Sequence, residues 1–490
     1  MSDSTPVVNP PSTTDPGTGA VPDRLSGRMG AGSLMLTVLA FSAPIAVVAG
    51  FIPFTITFGG RGATLAFVAT TILLLLFAVG YVTMTRRIPK PGSFYAFVSA
   101  GLGKVSGLGA AFLAVVSYLL MLGGCFVFLG LTATELISSV NGPATPWWLW
   151  AGIAWAVVGV LCYFHIEVSA RVLSVAMVLE VAIALTFNVA VVLRGGGPDG
   201  FSATPFSPSA LAHGDVGVTM LFAVMVFLGF EATAVFRDEV RAPDRTIPRA
   251  TYGAVLFVGV LYILSCYLLT TAYGSGAVDA ATNDPKSMFP DAIGQFVAPF
   301  FTQLTFLFII TSELAAAISV HNVVARYLYN LGRDRALPAY LAKVHPRHRS
   351  PARASTVTAL VVAVVLLPLG LTNTAGTGLD AQLFGLATVG LLTLMALVSV
   401  SVIAWFARHG GSAGENWFKC YFAPGMAATA LGTTVVLAVL HFDLVVGGAP
   451  GQNLVLLTVL AVSAVAGVGL ALYLKAARPR TFAGLGQTAG

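Results

Sequence analysis

The chain is 490 residues long, 57% of them apolar and only 9% charged, with a formal net charge of +6. A soluble domain carries about 25% charged residues, so a string of water-soluble domains is excluded and an integral membrane protein is indicated. The basic residues are scattered over many short loops, a distribution that fits inner-leaflet topology and not a nucleic-acid patch.

Met1 to Asp23 is rich in Pro, Ser, Thr and Gly and lacks the charged-then-apolar order of a secretory signal. Residues 1–24 are therefore predicted to be a retained, disordered cytoplasmic tail. Twelve apolar runs follow, near 33–58, 62–85, 107–134, 147–164, 169–193, 215–236, 250–273, 295–325, 354–370, 381–407, 419–440 and 452–474. Each is long enough to cross roughly 30 Å of hydrocarbon as a helix. The runs are numbered here as spans 1 to 12. Residues 25–407 hold the first ten, 408–475 hold spans 11 and 12, and 476–490 form a C-terminal tail. With the N-terminus inside, 23 of the 26 Lys and Arg residues fall on that side, and only Arg61, Arg194 and Lys286 fall outside. That asymmetry predicts a multi-pass protein of the cell membrane with both termini cytoplasmic. The four cysteines, Cys125, Cys162, Cys266 and Cys420, have no CxxC spacing and read as small packing residues, without a metal site or cofactor.

Span 1 contains "AFSAPIAVVAGFIPF", with Pro44, Gly50 and Pro53 in mid-run. Pro44 has no amide hydrogen and its ring crowds the carbonyl four residues back, so helical bonding is expected to be interrupted there. A proline kink or a small-residue packing seam is the alternative. Span 6 carries a second interruption, "VFLGFEA". Five spans on in an alternating chain, it runs opposite to span 1, as an inverted five-plus-five repeat requires. Two antiparallel broken helices meeting near midplane would offer free amides to a carboxylate and free carbonyls to a cation.

Three stretches carry a resemblance: "SAPIAVVAGFIP" in span 1, "RRIPKPGSFYAFVSAGLGKVSG" after span 2, and "GFEATAVFRDEVRAPDRTIPRAT" from span 6 onward. A fourth, "ARYLYNLGRDRALPAYLAKVHPRHRSPARA", follows span 8. From about Leu25 to Lys475 the chain resembles the amino acid/polyamine/organocation (APC) superfamily of secondary transporters, in particular bacterial amino acid permeases with the LeuT-type fold. The resemblance implies an all-α membrane protein of twelve helices: a 5+5 inverted repeat with helices 1 and 6 broken, plus two C-terminal helices. It also implies a pocket between helices 1 and 6, lined by helices 3, 8 and 10. By position, Ser42, Ala43, Pro44, Ile45, Ala46, Val47, Ala49 and Gly50 would present backbone donors to a substrate carboxylate. Phe227, Leu228, Gly229 and Phe230 would present carbonyls to its amino group, with Phe230 or Phe227 as an aromatic lid. Many relatives carry a Gly-x-Gly pattern where this chain has Ser42-Ala43-Pro44, which widens the expected substrate from an α-amino acid to an amino acid, amine or related small solute.

Three acids fall within spans: Glu180, Glu231 and Glu313. A carboxylate at the bilayer centre costs several kcal/mol unless paired, neutralised or wetted, so each is a functional candidate. Glu231 follows the span 6 break, where the resemblance implies proton sensing or coupling; a side chain bonding freed span 1 backbone is the other reading. Several proton-coupled relatives place a lysine near the position of Glu180. A glutamate there is read as a titrating group, as a cation ligand with Ser319 and Asn322 of span 8 as oxygen donors for a possible sodium site, or as a side chain merely hydrogen-bonded inside the bundle. Glu313 is read as structural or pocket-lining, and His165 and His321 as neutral hydrogen-bonding partners. Arg237 and Glu239, in the charged run after span 6, are the expected inner gate by analogy, or else part of a solvated loop.

The chain has no HExxH and no lysine-bearing phosphate loop, so an enzyme is not expected. The expected function is proton-coupled symport of amino acids or related amines by alternating access. An exchanger and a sodium-coupled symporter are the alternatives, and a channel or transport-like receptor stands further off. The implied partners are a small-molecule substrate, a coupling ion (H+ ahead of Na+) and the lipid bilayer.

Overall fold

A computed structural model of the protein describes residues 30–88, 94–164, 170–234, 240–345, 350–372, 378–409, 415–446 and 451–485. Residues 1–24 lie outside this set, as do His165, Arg237 and Glu239. Every element among the described residues is helical. Among the described residues nine helical runs are long and apolar enough to cross a bilayer, and two shorter apolar helices, Trp147–Tyr163 and Val216–Met225, accompany them. The first run, Pro44–Arg87, folds back on itself at Gly60, whose φ of +58° a residue with a Cβ rarely adopts. At the centre, Lys104–Ser139 of span 3 packs against both Phe300–Arg333 of span 8 and Leu379–His409 of span 10. At the rim, Gln452–Ala477 of span 12 exposes Leu454, Val455, Val462 and Val465, a surface suited to lipid tails.

Span 1 is broken, over a shorter length than its prolines suggest. Ala31–Phe41 ends at Ser42, and Ala43 takes the left-handed conformation (φ 43°, ψ 64°) before the helix resumes at Pro44. Pro44 cannot donate to Ala40, and its ring displaces that carbonyl. The Ser42 hydroxyl bonds the carbonyls of Val38 and Leu39, both at 3.2 Å, so the loose end of the first half is partly capped by its own last residue. Beyond the break, the Gly50–Pro53 region stays helical. It does so by widening: Val47–Phe51 is a π-helical turn, and the Ile52 amide reaches back five residues to Val47. The wider turn relieves the clash between the Pro53 ring and the Ala49 carbonyl without opening the helix.

Span 6 comes apart in a different way. Asp215 caps Val216–Met225, its Oδ1 accepting from the Val218 amide at 2.7 Å. At the far end the bonding tightens, with Phe227 donating to Val224 and Leu228 to Met225, both at 3.0 Å. Gly229 then turns the chain at φ +113°, and a 3₁₀ segment, Phe230–Ala234, follows. The two broken spans lie side by side and antiparallel. The Asp215 amide donates to the Phe58 carbonyl at 2.8 Å, Phe58 stacks on Phe222 with centroids 5.5 Å apart, and Phe41 lies against Gly229.

Candidate functional site

The two breaks face one cavity. Span 1 contributes Phe41, Ser42, Ala43, Val47 and Phe51, and span 6 contributes Met225, Val226 and Leu228. The remaining wall comes from Met121 and Cys125 of span 3, Glu313, Ala316 and Val320 of span 8, and Phe384 of span 10. The aromatic side is preorganised: Phe51 stacks on Phe128 and meets Phe384 edge-on, in each case at 5.0 Å between centroids. The lining is apolar with one carboxylate, Glu313, only 2% exposed and beside the Cys125 thiol.

Of the residues expected to hold substrate, Ser42, Ala43, Val47 and Leu228 line this cavity. Pro44, Ile45, Ala46, Ala49, Gly50, Phe227, Gly229 and Phe230 do not. Gly50 packs against the Phe128 ring, Phe230 meets Phe77 edge-on at 5.8 Å, and Phe227 meets Tyr262 edge-on at 5.7 Å. The aromatic rings at the cavity wall are instead Phe41, Phe51 and Phe384.

Glu231 closes the break in span 6. Its Oε2 accepts from the Gly229 amide at 2.7 Å and its Oε1 from the Tyr118 hydroxyl at 2.8 Å, while Tyr81 donates to the Glu231 main-chain carbonyl at 2.5 Å. The side chain thereby ties the unwound segment to span 3, and the main-chain carbonyl ties it to span 2. Glu180 sits at the span 1 break: it accepts from the Ser312 hydroxyl at 2.6 Å and lies beside the amide of Ile45, near the start of the resumed helix. A helix N-terminus has free amides and a positive dipole end, so a carboxylate is well placed there. Both carboxylates are 4% exposed. Hydrogen bonds to a charged acceptor contribute about 1.5–3 kcal/mol each, enough to offset much of the cost of burial.

Ser319 bonds the Ala315 carbonyl of its own helix at 2.9 Å. It lies seven residues beyond Ser312, about 10 Å along the axis, and Asn322 lies farther still, so the span 8 residue that meets Glu180 is Ser312. Among the described residues no group of His, Cys, Asp and Glu could hold a metal ion. His321 pairs with the Ser355 hydroxyl at 2.9 Å. Arg237 and Glu239, the expected gate, fall outside the described residues.

Several site residues carry no sequence signal of their own. Cys125 and Phe384 are ordinary apolar-span residues until the packing turns them toward the cavity. Asp380, one residue before the expected start of span 10, pairs with Lys286 at 3.3 Å and is 1% exposed. The contact is one of charge and not an aligned hydrogen bond, since neither Asp380 oxygen has a hydrogen-bond partner. Asp380 also interacts electrostatically with Glu313, which puts the ion pair near the cavity. Lys286→Met should strand the Asp380 carboxylate and cost about 2 kcal/mol, below the full penalty for a buried pair because Lys286 keeps some exposure. Lys286→Met/Asp380→Asn should recover most of that loss. Thermal unfolding of the two variants in detergent checks this, and a double variant less stable than the single would contradict it.

With this geometry in hand, the comparisons are specific. The sequence pattern of the Amino acid permease family matches residues 33–481, and the chain belongs to that family. Its architecture is the LeuT-type helical fold. The crystal structure of MhsT in complex with L-phenylalanine superposes with a TM-score of 0.59 at 16% identity, covering 84% of this chain and 99% of that one. Among relatives, the Branched-chain amino acid permease BcaP of Bacillus subtilis (strain 168) is 25% identical over 76% of this chain and 79% of its own length. The Low-affinity putrescine importer PlaP of Escherichia coli (strain K12) is 24% identical over 75% and 79%, respectively. The Methylthioribose transporter of Bacillus subtilis (strain 168) is 24% identical over 76% and 80%. The protein is thus a multi-pass membrane permease of the amino acid and amine transporter class.

Proposed function

We propose that the protein is a secondary active transporter importing amino acids or related small amines across the cell membrane by alternating access, coupled to protons in preference to sodium. Its termini are cytoplasmic in this reading, and residues 25–407 form the transport core. The observation that carries it is the single cavity bounded at once by the Ser42–Ala43 break and by the Val226–Gly229 break. Backbone departs from helix at membrane depth only where protein or a polar cavity satisfies it, and a seam between two antiparallel broken helices is where one group of helices can rock against another.

Proton coupling is supported by where Glu180 and Glu231 sit. Each lies between a broken helix and a neighbouring span, with its carboxyl oxygens accepting hydrogen bonds there. Protonation weakens those bonds, so proton binding and the geometry of the breaks are linked. Purified protein in proteoliposomes should accumulate substrate above equilibrium when an inward proton gradient is imposed, and a protonophore should abolish that accumulation. Accumulation driven only by a sodium gradient would replace the proton with sodium. Equilibration without accumulation under either gradient would remove the symporter reading.

A further inference from the structure

Main-chain amides at both breaks face the protein's own acids. The Ile45 amide, near the start of the resumed span 1 helix, lies beside Glu180, and the Gly229 amide, at the span 6 turn, donates to Glu231 at 2.7 Å. In the cavity wall stands Glu313, 98% buried, with the Cys125 thiol beside it and no basic residue paired with it among the described residues. Glu180 and Asp380 are close enough to act on Glu313 electrostatically. Of these acids only Asp380 has a cationic partner among the described residues, Lys286.

A carboxylate entering this space would meet the repulsion of Glu313, the one charged side chain in the lining. An ammonium group would meet Glu313 directly, in surroundings where like charge is costly and opposite charge is strongly favoured. The remaining wall is hydrocarbon, sulfur and aromatic surface, including Phe51, Phe384, Met121 and Val320. The geometry points to a substrate that is a primary amine with an apolar body and no carboxylate, its ammonium held by Glu313. This rests on the transporter reading above and narrows it from amino acids and amines to amines, with Glu313 as the specificity-determining residue.

Three probes sharing one hydrocarbon body separate the possibilities: isoamylamine, leucine, and 4-methylpentanoate. Binding is read as thermal stabilisation of the purified protein, and transport as counterflow in proteoliposomes. Wild-type protein should bind and exchange isoamylamine at least tenfold better than leucine, and should ignore the carboxylate. Glu313→Gln should lose that amine preference by tenfold or more, while Glu313→Asp, which keeps the charge, should retain most of it. The wild-type comparison decides the substrate class even if Glu313→Gln fails to fold. Leucine bound and exchanged as well as isoamylamine would overturn the inference and leave the transporter reading intact. An unchanged amine preference in folded Glu313→Gln would remove Glu313 from recognition. No counterflow of any probe, or of a wider panel of amino acids and amines, would overturn the transporter reading and this inference with it.

Discussion

Gly229→Leu is expected to abolish uptake, with a loss of about 10²-fold or more, comparable to what small misplacements cost at a catalytic centre. Two effects add at this position. The φ of +113° is open to glycine and costly for any residue with a Cβ, on the order of 1–3 kcal/mol. A Cβ there would also run into the Phe41 ring. Phe41 is 5% exposed and lines the cavity, so it cannot yield toward solvent; it moves into the space the substrate needs. Gly229→Ala should fall between the two, since it brings the strain and the first carbon of the clash without the bulk. Gly276→Ala, where nothing lies within 4 Å of an added Cβ, is the control and should transport normally. Initial uptake rates in proteoliposomes, normalised to monodisperse protein, provide the test. A Gly229→Leu variant transporting near the wild-type rate would mean that this turn does not shape the substrate path.

The second large effect is expected at Glu180. Glutamine keeps the volume and one acceptor oxygen but loses the charge, and its amide nitrogen cannot accept. The bond from Ser312 is kept or reversed, and the Ile45 amide loses its charged neighbour. If Glu180 carries the coupling proton, Glu180→Gln should flatten the pH dependence of uptake and abolish accumulation against a gradient. Exchange of substrate at equal pH should persist, and substrate affinity should change by only a few-fold. A pH profile matching the wild type would assign Glu180 a purely structural role as the cap of the resumed span 1 helix.

The sequence made the breaks legible because proline and glycine act locally. Pro44 forbids one hydrogen bond whatever surrounds it, and Gly229 permits a turn that other residues resist. It also singled out Glu180, Glu231 and Glu313, since the cost of a buried acid holds in any packing arrangement. The extent of the span 1 break was not legible. Whether Pro53 opens the helix or only widens it into a π turn depends on neighbours such as Phe128 against Gly50, far away in the chain. Partner identity was hidden for the same reason. Glu180 meets Ser312, while Ser319 lies two turns away on the same helix, and that choice is set by the axial offset of spans 5 and 8. The pairing of Lys286 with Asp380 and the turning of Phe384 toward Phe51 are likewise products of packing between distant helices.

The most direct measurement is a cryo-EM structure of the protein in lipid nanodiscs with saturating isoamylamine. Ligand density is expected between Ser42–Ala43 and Val226–Leu228, with its nitrogen within hydrogen-bonding reach of Glu313 and with both helices interrupted where they are here. Density outside that seam, or unbroken helical bonding through Ala43 and Gly229, would contradict the account.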